Sequence, residues 1–171
     1  MSTLIIRRAK PEDFAAIWPI FHAVVASGET YAYDPATPYE AAQALWLGGP
    51  GVQAWVALSG EEVVGTYRVG PNQPGLGDHV ANAAYMVAPA ARGQGIGRAL
   101  VEHSFERARA QGFRSMVFNL VVATNHGAIA LWQSVGFRIV GTLHGAYRHA
   151  RLGLVDAHIM QRSLLDLGGS E

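Results

Sequence analysis

The sequence of 171 residues contains no cysteine. A disulfide framework, a thiolate zinc site and covalent catalysis by a cysteine thiol are therefore excluded. An excess of either charge is also missing, because 13 basic and 13 acidic residues give a formal net charge of zero with no basic block. This balance does not favour nucleic acid or an anionic membrane as a partner.

Long apolar runs are missing as well. No run approaches the roughly 20 residues that a membrane-spanning helix requires, and the first residues do not combine a basic segment with an apolar one as a secretory leader would. We therefore expect a cytoplasmic protein. Half of the residues are hydrophobic and 15% are charged, which favours a single domain over residues 1–171, with 168–171 as a frayed tail.

The seven histidines do not form a compact metal-binding pattern. His144 and His149, with His126 or His158, would have to converge, yet none has a carboxylate or cysteine partner at metal-ligand spacing. The sequence therefore predicts no metal site. His149 is a candidate general base, with a solvated loop histidine as the alternative.

What the sequence does contain is a glycine-rich turn between a predicted strand and a predicted helix. Gly93, Gly95 and Gly97 occupy alternate positions, so the backbone can approach a ligand closely and aim several amides at one point. The following helix adds the positive end of its dipole, which predicts a site for a phosphate-like anion. Arg98 in the first helical turn opposes that dipole unless an anion compensates it.

Two common nucleotide-binding motifs do not fit this turn. A Rossmann fingerprint needs a third glycine where Arg98 stands, and a P-loop needs Gly-Lys-Ser/Thr, which is absent. Residues 92–97 instead have the pattern Arg-x-x-Gly-x-Gly, preceded by Val-x-Pro at 87–89. This pattern resembles the acetyl-CoA pyrophosphate loop of the GCN5-related N-acetyltransferases, the GNAT family. An ordinary glycine-rich turn is the alternative.

A second segment, Asn125–Phe137, strengthens the resemblance. It is similar to the family's second CoA element, Asn-x-x-Ala-x-x-Leu-Tyr-x-x-x-Gly-Phe, although Asn125 can also serve as a helix cap. Trp132 stands where many members carry the tyrosine that protonates the departing thiolate. An indole N–H is not a useful acid, so water or another group would replace it, or CoA would leave as the thiolate, since a thiol pKa is about 8.5. Tyr147 is one candidate for that group, with a structural tyrosine in the hairpin as the alternative.

The order of predicted elements agrees with the same fold. It is β-αα-βββ-α-β-α-ββ, a mixed α/β arrangement with α+β character, in which about seven strands form one sheet flanked by four helices. Strands His79–Val87 and Ser115–Val122 are predicted to be parallel neighbours. The GNAT layout implies that these fourth and fifth strands splay apart to admit the pantetheine arm.

Two further expectations concern the first helix and the last two strands. Pro19 lies inside the first helical pattern and is expected to kink that helix or divide it after one turn. Two runs near the end, Arg138–Leu143 and Leu154–Gln161, are expected to form a terminal hairpin.

Polar side chains in the two central strands are candidates for the acceptor site. Asn82 and Asn119 lie in apolar strands, where an amide costs free energy unless it is paired. Since the strands are neighbours, both amides are expected to face one cleft, with a structural hydrogen bond as the alternative. Glu29 is the carboxylate expected to steer an acceptor amine, or else a solvated loop acid. Its loop, with Tyr31, resembles the substrate loop of phosphinothricin-type acetyltransferases.

A closer resemblance extends from Gly65 to the end of the chain. Its segments are Pro71–Gly75, His79–Ala83, Phe118–Asn125, Gly136–Leu143 and Gly153–Ala157. They are similar to the fungal L-azetidine-2-carboxylate N-acetyltransferases, which acetylate small cyclic imino acids and use asparagines that match Asn82, Asn119 and Asn125. The resemblance implies a role in detoxifying amino acid analogues. The N-terminal third matches poorly.

The predicted activity is direct acetyl transfer from acetyl-CoA, through a tetrahedral intermediate, to a small amino or imino acid. The residues predicted to bind the cosubstrate are Tyr85, Met86, Val87, Arg92, Gly93, Gln94, Gly95, Ile96, Gly97, Arg98, Asn125 and Trp132. The predicted catalytic residues are Asn82, Asn119, Tyr147 and Val87, whose N–H is expected to donate to the thioester oxygen. The predicted acceptor-binding residues are Glu29, Tyr31, Asn82 and Asn119.

Several alternatives stay open at this point. The first is a CoA-binding module of the same fold that senses or binds a partner without catalysis. Within enzymes, the alternative acceptors are protein amines, phosphinothricin-like amino acids and aminoglycosides. Dimerisation is common among the relatives, so a homodimer is a further expectation, although the sequence does not locate an interface.

Overall fold

The computed structural model describes residues 3–168. Within that range it contains seven strands and four α-helices. In chain order they are β1 Leu4–Arg8, α1 Phe14–Ala26, α2 Tyr39–Leu47, β2 Gln53–Ser59, β3 Glu62–Pro71, β4 Val80–Val87, α3 Ile96–Ala110, β5 Ser115–Val122, α4 His126–Ser134, β6 Arg138–His149 and β7 Gly153–Ser163. Of the tail predicted at 168–171, Gly168 ends a short 3-10 helix, Leu165–Gly168, and residues 169–171 lie outside the described range.

The strands form one open sheet in the order β1-β2-β3-β4-β5-β7-β6. β4 and β5 are parallel, joined by the crossover through α3, and the other neighbouring pairs are antiparallel. A hairpin allows two strands to run antiparallel, whereas parallel strands need such a crossover. The predicted mixed α/β fold with seven strands and four helices is confirmed.

Helices cover the two faces of the sheet with separate apolar cores. On one face, α3 presents a stripe at helical spacing that includes Leu100, Val101 and Phe105, all packed against the inner strands. On the other face, α1 and α2 pack against β2 and β4 through a cluster that includes Phe14 and Trp46. β3 and β4 therefore lie between α1 on one face of the sheet and α3 on the other.

Pro19 does not divide the first helix. α1 continues from Phe14 to Ala26 with Pro19 inside it, although proline cannot donate the backbone hydrogen bond at that position. Buried residues lie on both sides of it, among them Ile17 and Phe21. Their burial offsets the lost hydrogen bond, so the helix stays in one piece.

The terminal hairpin is much longer than predicted. β6 runs to His149 and β7 begins at Gly153, so only residues 150–152 form the turn. Gly145 lies inside β6 with a φ of +59°, and the register of the two strands shifts between Leu143 and Tyr147. A bulge of this kind needs the conformational freedom of glycine. It places Tyr147 in a strand where the sequence suggested a loop.

We expect Leu100→Ala to lower the free energy of unfolding by about 2–5 kcal/mol, because the side chain is fully buried between α3 and the sheet and leaves a cavity. The control is Leu76→Ala in the loop before β4, where the side chain is fully exposed and a change within about 0.5 kcal/mol is expected. Urea unfolding followed by circular dichroism measures both. Equal losses in the two variants would contradict the assigned core.

Candidate functional site

The site is organised by a fork between β4 and β5. Their parallel ladder has only three pairs, Val80 with Ser115, Ala81 with Met116 and Asn82 with Val117. Beyond the last pair the strands separate around a cleft of about 360 Å³. At the vertex, the Asn82 side-chain amide donates to the Val117 carbonyl oxygen over 3.0 Å. The predicted splay between the fourth and fifth strands is therefore present.

Several predicted residues line this cleft. They are Tyr85, Met86, Val87, Arg92, Asn125 and Trp132 among the residues expected to bind the cosubstrate, and Tyr31 among those expected to bind the acceptor. The described lining contains no aspartate or glutamate.

The main chain of β4 presents polar groups to the cleft. The Asn72 N–H donates to the Val80 carbonyl over 2.8 Å, and the Ala88 N–H donates to the Val64 carbonyl over 2.9 Å. Even-numbered positions of β4 therefore bond towards β3. Because main-chain direction alternates along a strand, Tyr85 and Val87 direct their N–H and C=O groups towards β5, which has already diverged. Val87 thus has the orientation expected of a thioester donor, and its role stays a prediction.

The glycine-rich turn has an open, left-handed backbone at two of its three glycines. Gly93 and Gly95 have φ values of +75° and +78°, and a Cβ at either would meet nothing within 4 Å. The first α3 hydrogen bond runs from the Ala99 N–H to the Gly95 carbonyl over 3.1 Å. The amides at 96–98 precede it and have no acceptor within the helix, which is the usual condition for an anion site.

Gly97 differs from the other two glycines because it packs closely against α4. It already lies in α3, and a Cβ there would approach the Leu131 Cδ2 atom of α4 to 3.4 Å. Ile96, beside it, is buried in the core on the α3 face. These two residues fix the start of α3 against its neighbours.

Arg98 has partners of its own. Its guanidinium donates to the Glu102 carboxylate over 3.3 Å and to the Ser134 hydroxyl over 2.7 Å. Glu102 therefore compensates the cation in the first helical turn, and Arg98 does not by itself require a bound anion. Arg92 and Gln94 are exposed.

An aromatic wall closes the α4 side of the cleft. The Trp132 ring lies 4.9 Å from the Phe118 ring and 5.3 Å from the Tyr85 ring, centroid to centroid. The Tyr85 hydroxyl is buried in the core, 2.6 Å from the Ser104 hydroxyl, and burial raises the pKa of Tyr85. Neither aromatic residue offers an acidic proton to the cleft.

Tyr31 reaches the cleft from the opposite face. Its hydroxyl oxygen accepts the Tyr85 N–H over 3.0 Å and its proton is donated to the Tyr85 carbonyl over 2.6 Å. Burial raises the pKa of Tyr31. Tyr147, predicted as a replacement acid, does not line the cleft, because its hydroxyl donates to the Tyr31 carbonyl oxygen over 3.2 Å.

The predicted substrate carboxylate is held in an ion pair. The Arg151 guanidinium donates to the Glu29 carboxylate over 2.6 Å, and this hydrogen bond holds the pKa of Glu29 below its usual value. Glu29 is not among the residues that line the cleft. The Ala150 N–H also donates to the Gly28 carbonyl over 2.9 Å, so the tip of the β6–β7 hairpin is fastened to the loop after α1.

His149 is not a solvated loop histidine. It is 5% exposed, and its Nδ1 atom accepts the N–H groups of Arg151 and Leu152 over 3.1 and 3.3 Å. The proton of the neutral ring therefore lies on Nε2. These bonds shape the hairpin turn and leave Nδ1 occupied, so that atom is not free to act as a general base.

The side-chain amide of Asn119 lies outside the cleft. It is exposed, and its Nδ2 atom donates to the Asn72 side-chain oxygen over 2.7 Å. The pairing of β5 with β7 shifts between Phe118 and Val121, which breaks the regular alternation of side chains along β5 at Asn119. Neither Asn82 nor Asn119 lines the cleft. Their roles in orienting the acceptor stay predictions.

Sequence reasoning did not select eight of the lining residues, which are Val24, Thr30, Ala83, Phe118, Leu120, Val121, Val122 and Ala128. Thr30 stands between Glu29 and Tyr31 and could have been included with them. Val24 follows the buried stripe of α1 and Leu120 lies at the β5 irregularity, so their patterns do not distinguish a cleft from a core.

Residues 3–168 contain neither a metal-binding cluster nor a membrane-spanning helix. No group of three or more histidine, aspartate or glutamate side chains is arranged to hold a metal ion there. No described helix is both long and apolar enough to cross a membrane. Two of the histidines considered above have partners of their own, His144 with Asp156 at 3.2 Å and His158 with Thr142 at 2.9 Å.

Comparison with known proteins gives a consistent result. A model of the acetyltransferase (GNAT) family matches residues 16–137. The structure of a GCN5-related N-acetyltransferase from Kribbella flavida is 46% identical, with a TM-score of 0.90 over 94% of this chain and 97% of that one. A phosphinothricin acetyltransferase from Sinorhizobium meliloti, in complex with acetyl-CoA, is 28% identical, with a TM-score of 0.83 over 94% of this chain and 88% of that one.

Two further proteins are similar too. A ribosomal-protein-alanine N-acetyltransferase from Brucella melitensis is 30% identical, with a TM-score of 0.83 over 93% of this chain and 99% of that one. The N-acetyltransferase aca1 of Schizosaccharomyces pombe is 40% identical over 100 residues, which are 58% of this chain. The match covers 48% of that relative, so the chain spans about half of its length.

We expect Arg151→Gln to raise the pKa of Glu29 towards the usual value, because the hydrogen bond from Arg151 is the main cause of the lowering. A carboxyl whose pKa is lowered in the folded state stabilises that state above about pH 4.3, and the contribution disappears as the pH falls through the lowered pKa. The stabilities of the variant and the wild type should therefore converge in acid.

Titration of the Glu29 carboxyl carbon by NMR measures the pKa, and urea unfolding from about pH 3 to 7 measures the convergence. Arg148→Gln is the control, since that side chain is exposed near the end of β6, just before the turn that carries Arg151, and should leave Glu29 unchanged. An identical Glu29 pKa in the wild type and in Arg151→Gln would refute the ion pair.

Proposed function

Because the chain belongs to the acetyltransferase (GNAT) family, we propose that it transfers the acetyl group of acetyl-CoA to the nitrogen of a small amino or imino acid. The observation that carries this proposal is the open β4–β5 fork, with the glycine-rich turn at one end and two strand edges that do not pair with each other beyond Asn82 and Val117. This arrangement offers an anion site and a channel for an extended arm in a single cleft.

The residues present fit the cosubstrate. The left-handed turn at Gly93 and Gly95 is free of any atom that a Cβ would meet, so a diphosphate can approach the amides at 96–98. Val87 offers main-chain groups to an amide of the pantetheine arm, in the manner of an added strand. Arg92 lines the cleft beside this turn and supplies positive charge to the diphosphate.

The reaction requires a neutral acceptor nitrogen. In the proposed transfer, the nitrogen donates its electron pair to the thioester carbon, the carbon–sulfur bond breaks with its pair on sulfur, and the nitrogen gives its proton to water. The Val87 N–H is proposed to donate to the carbonyl oxygen as negative charge develops there. Asn82 and Asn119 stay the proposed residues for orienting the acceptor, Asn82 from the vertex of the fork.

The closed face of the fork favours a small acceptor. The loop after α1 is joined to the hairpin tip by three contacts, Ala150 with Gly28, Arg151 with Glu29 and Tyr147 with Tyr31. An extended peptide would have to separate these segments to reach the thioester. Since the described lining contains no carboxylate, polycations such as aminoglycosides and polyamines find no counter-charge in it.

The identity of the small acceptor rests on resemblance. The chain from Gly65 onwards resembles the azetidine-2-carboxylate N-acetyltransferases, and the Sinorhizobium meliloti neighbour is a phosphinothricin acetyltransferase. Both types of enzyme acetylate a small molecule that carries a carboxylate beside its nitrogen. We therefore place this chain with acetyltransferases that act on amino acid analogues, with detoxification as the proposed role.

Protein amines are the second candidate acceptor, and the Brucella melitensis neighbour favours them. A screen of CoA release separates the candidates. It uses azetidine-2-carboxylate, proline analogues, phosphinothricin, methionine sulfoximine, polyamines and a short peptide with an N-terminal alanine. We expect release with imino or amino acids and none above background with the polyamines. Release with the peptide alone would overturn the small-acceptor proposal, and no release with any acceptor would support a non-catalytic module.

Gly95→Ala should weaken acetyl-CoA binding by about tenfold, the equivalent of about 1.4 kcal/mol, because a Cβ disfavours the left-handed turn that aims the amides. Gly60→Ala is the matched control. Gly60 has a φ of +63° in the β2–β3 turn, and a Cβ there also meets nothing within 4 Å. Both variants should lose similar stability, about 1–2 kcal/mol.

Isothermal titration calorimetry with acetyl-CoA measures the affinities, and urea unfolding measures the stabilities. Only Gly95→Ala should lose affinity. An equal loss in Gly60→Ala, or none in either variant, would show that the turn is not the diphosphate site.

A further inference from the structure

The Tyr31 hydroxyl occupies a position on the β4 edge that a strand would otherwise fill. It lies at Tyr85, three residues beyond the last ladder pair, and it bonds to both the N–H and the C=O of that residue. These groups point to the side from which β5 has diverged. One hydroxyl thus supplies both the acceptor and the donor that the missing strand cannot provide.

Tyr31 is also well placed among the groups of the cleft. Together with Thr30 it contributes the side-chain hydroxyl groups on the α1 side of the lining. The Thr30 Oγ1 atom is buried without a hydrogen-bond partner among the described residues, so solvent does not reach it. Of these two hydroxyl groups, the one of Tyr31 is hydrogen-bonded to the main chain of β4, at Tyr85.

We propose that the Tyr31 hydroxyl donates a hydrogen bond to the thioester oxygen of acetyl-CoA during acetyl transfer. This inference rests on the function proposed above and assigns Tyr31 to the same site as the Val87 N–H. When acetyl-CoA binds, before the acceptor reacts, the O–H bond turns from the Tyr85 carbonyl to the thioester oxygen, while the Tyr85 N–H continues to donate to the Tyr31 oxygen. No covalent bond forms or breaks at Tyr31, and its proton stays on the phenol.

The chain of hydrogen bonds favours this assignment. A hydroxyl that accepts a hydrogen bond becomes a stronger donor, because consecutive hydrogen bonds polarise one another. The Tyr85 N–H therefore strengthens Tyr31 as a donor to an oxygen on which charge develops. Donors fixed before the reaction are effective because they need no reorganisation when the charge appears.

The hydroxyl of Tyr31 could either transfer its proton to the CoA thiolate or only donate a hydrogen bond, and its burial favours the second role. Its pKa is raised by burial, whereas a thiol has a pKa near 8.5. Transfer of the phenol proton to a CoA thiolate would therefore be unfavourable. A phenol that keeps its proton through the neutral range is suited to donating a hydrogen bond, so Tyr31 does not replace the tyrosine whose position Trp132 takes.

The surrounding contacts hold Tyr31 in place. The Tyr147 hydroxyl donates to its carbonyl oxygen over 3.2 Å, and the Tyr33 ring is stacked on its ring with centroids 5.8 Å apart. The loop that carries both rings is fastened to the hairpin at Gly28. Such support limits the movement of the hydroxyl to rotation about its C–O bond.

The experiment compares Tyr31→Phe with Tyr33→Phe, which removes a hydroxyl from the neighbouring stacked ring of the same loop. Acetyl-CoA labelled with ¹³C at the thioester carbonyl is bound to each protein without acceptor, and infrared difference spectroscopy records the carbonyl stretch. In the wild type and in Tyr33→Phe, we expect a shift to lower frequency relative to free acetyl-CoA. In Tyr31→Phe most of that shift should disappear, and turnover should fall by about 100-fold with acetyl-CoA affinity unchanged.

Two results would overturn the inference. The first is an unchanged carbonyl frequency in Tyr31→Phe compared with the wild type. The second is tighter binding of acetyl-CoA by Tyr31→Phe, which would show that the hydroxyl competes with the thioester for the Tyr85 N–H. Calorimetry with acetyl-CoA and the wild type separates these results from failure of the proposed function. If the wild type does not bind acetyl-CoA, the proposed function is refuted and not only the role of Tyr31.

Discussion

The early end of the β4–β5 ladder is the constraint on which the rest of the site depends. Two parallel strands in the middle of a sheet would normally pair along their whole length, because an unpaired main-chain group in a buried position costs about 1–3 kcal/mol. Here pairing stops at Asn82 and Val117. The Asn82 side chain closes the vertex, and the Tyr31 hydroxyl satisfies the main-chain groups of Tyr85 on the cleft side of β4. The fork is thus stabilised locally while main-chain groups such as those of Val87 remain directed at the cleft.

Local features of the fold could be predicted from sequence because their causes lie within a few residues. Gly95 precedes α3 with a positive φ, and the Asn125 side chain caps α4 by accepting the Ala128 N–H over 3.3 Å, as the residue types indicate. The irregularities that were missed depend on the register in which neighbouring strands of the sheet pair. The shift after Phe118 in β5 and the bulge at Gly145 arise where β7 meets two neighbours of different register, and a strict period of two cannot reveal either.

The candidate site also has parts that follow from local sequence and parts that follow from contacts between distant residues. Its β4, glycine-turn and α4 components carry local motifs, and six of the twelve residues expected to bind the cosubstrate line the cleft. The acceptor side is built from contacts between residues far apart in sequence, 116 positions for Tyr147 with Tyr31 and 122 for Arg151 with Glu29. A lone glutamate in a polar loop gives no sign of which cation it will meet. Glu29 was therefore identified as notable, but its ion pair could not be foreseen.

The charge of the cleft constrains how acceptors reach it. Arg92 is the charged side chain among the described lining residues, and the rest is aromatic, aliphatic or neutral polar. An ammonium group entering such surroundings loses hydration without gaining a counter-charge, whereas the neutral amine loses much less. In the proposed reaction, the cleft would therefore shift the acceptor towards its unprotonated form, which is the form that carries the reactive electron pair. Selection of the neutral amine and the proposed stabilisation of the developing oxyanion would both follow from a site whose polar groups are fixed dipoles.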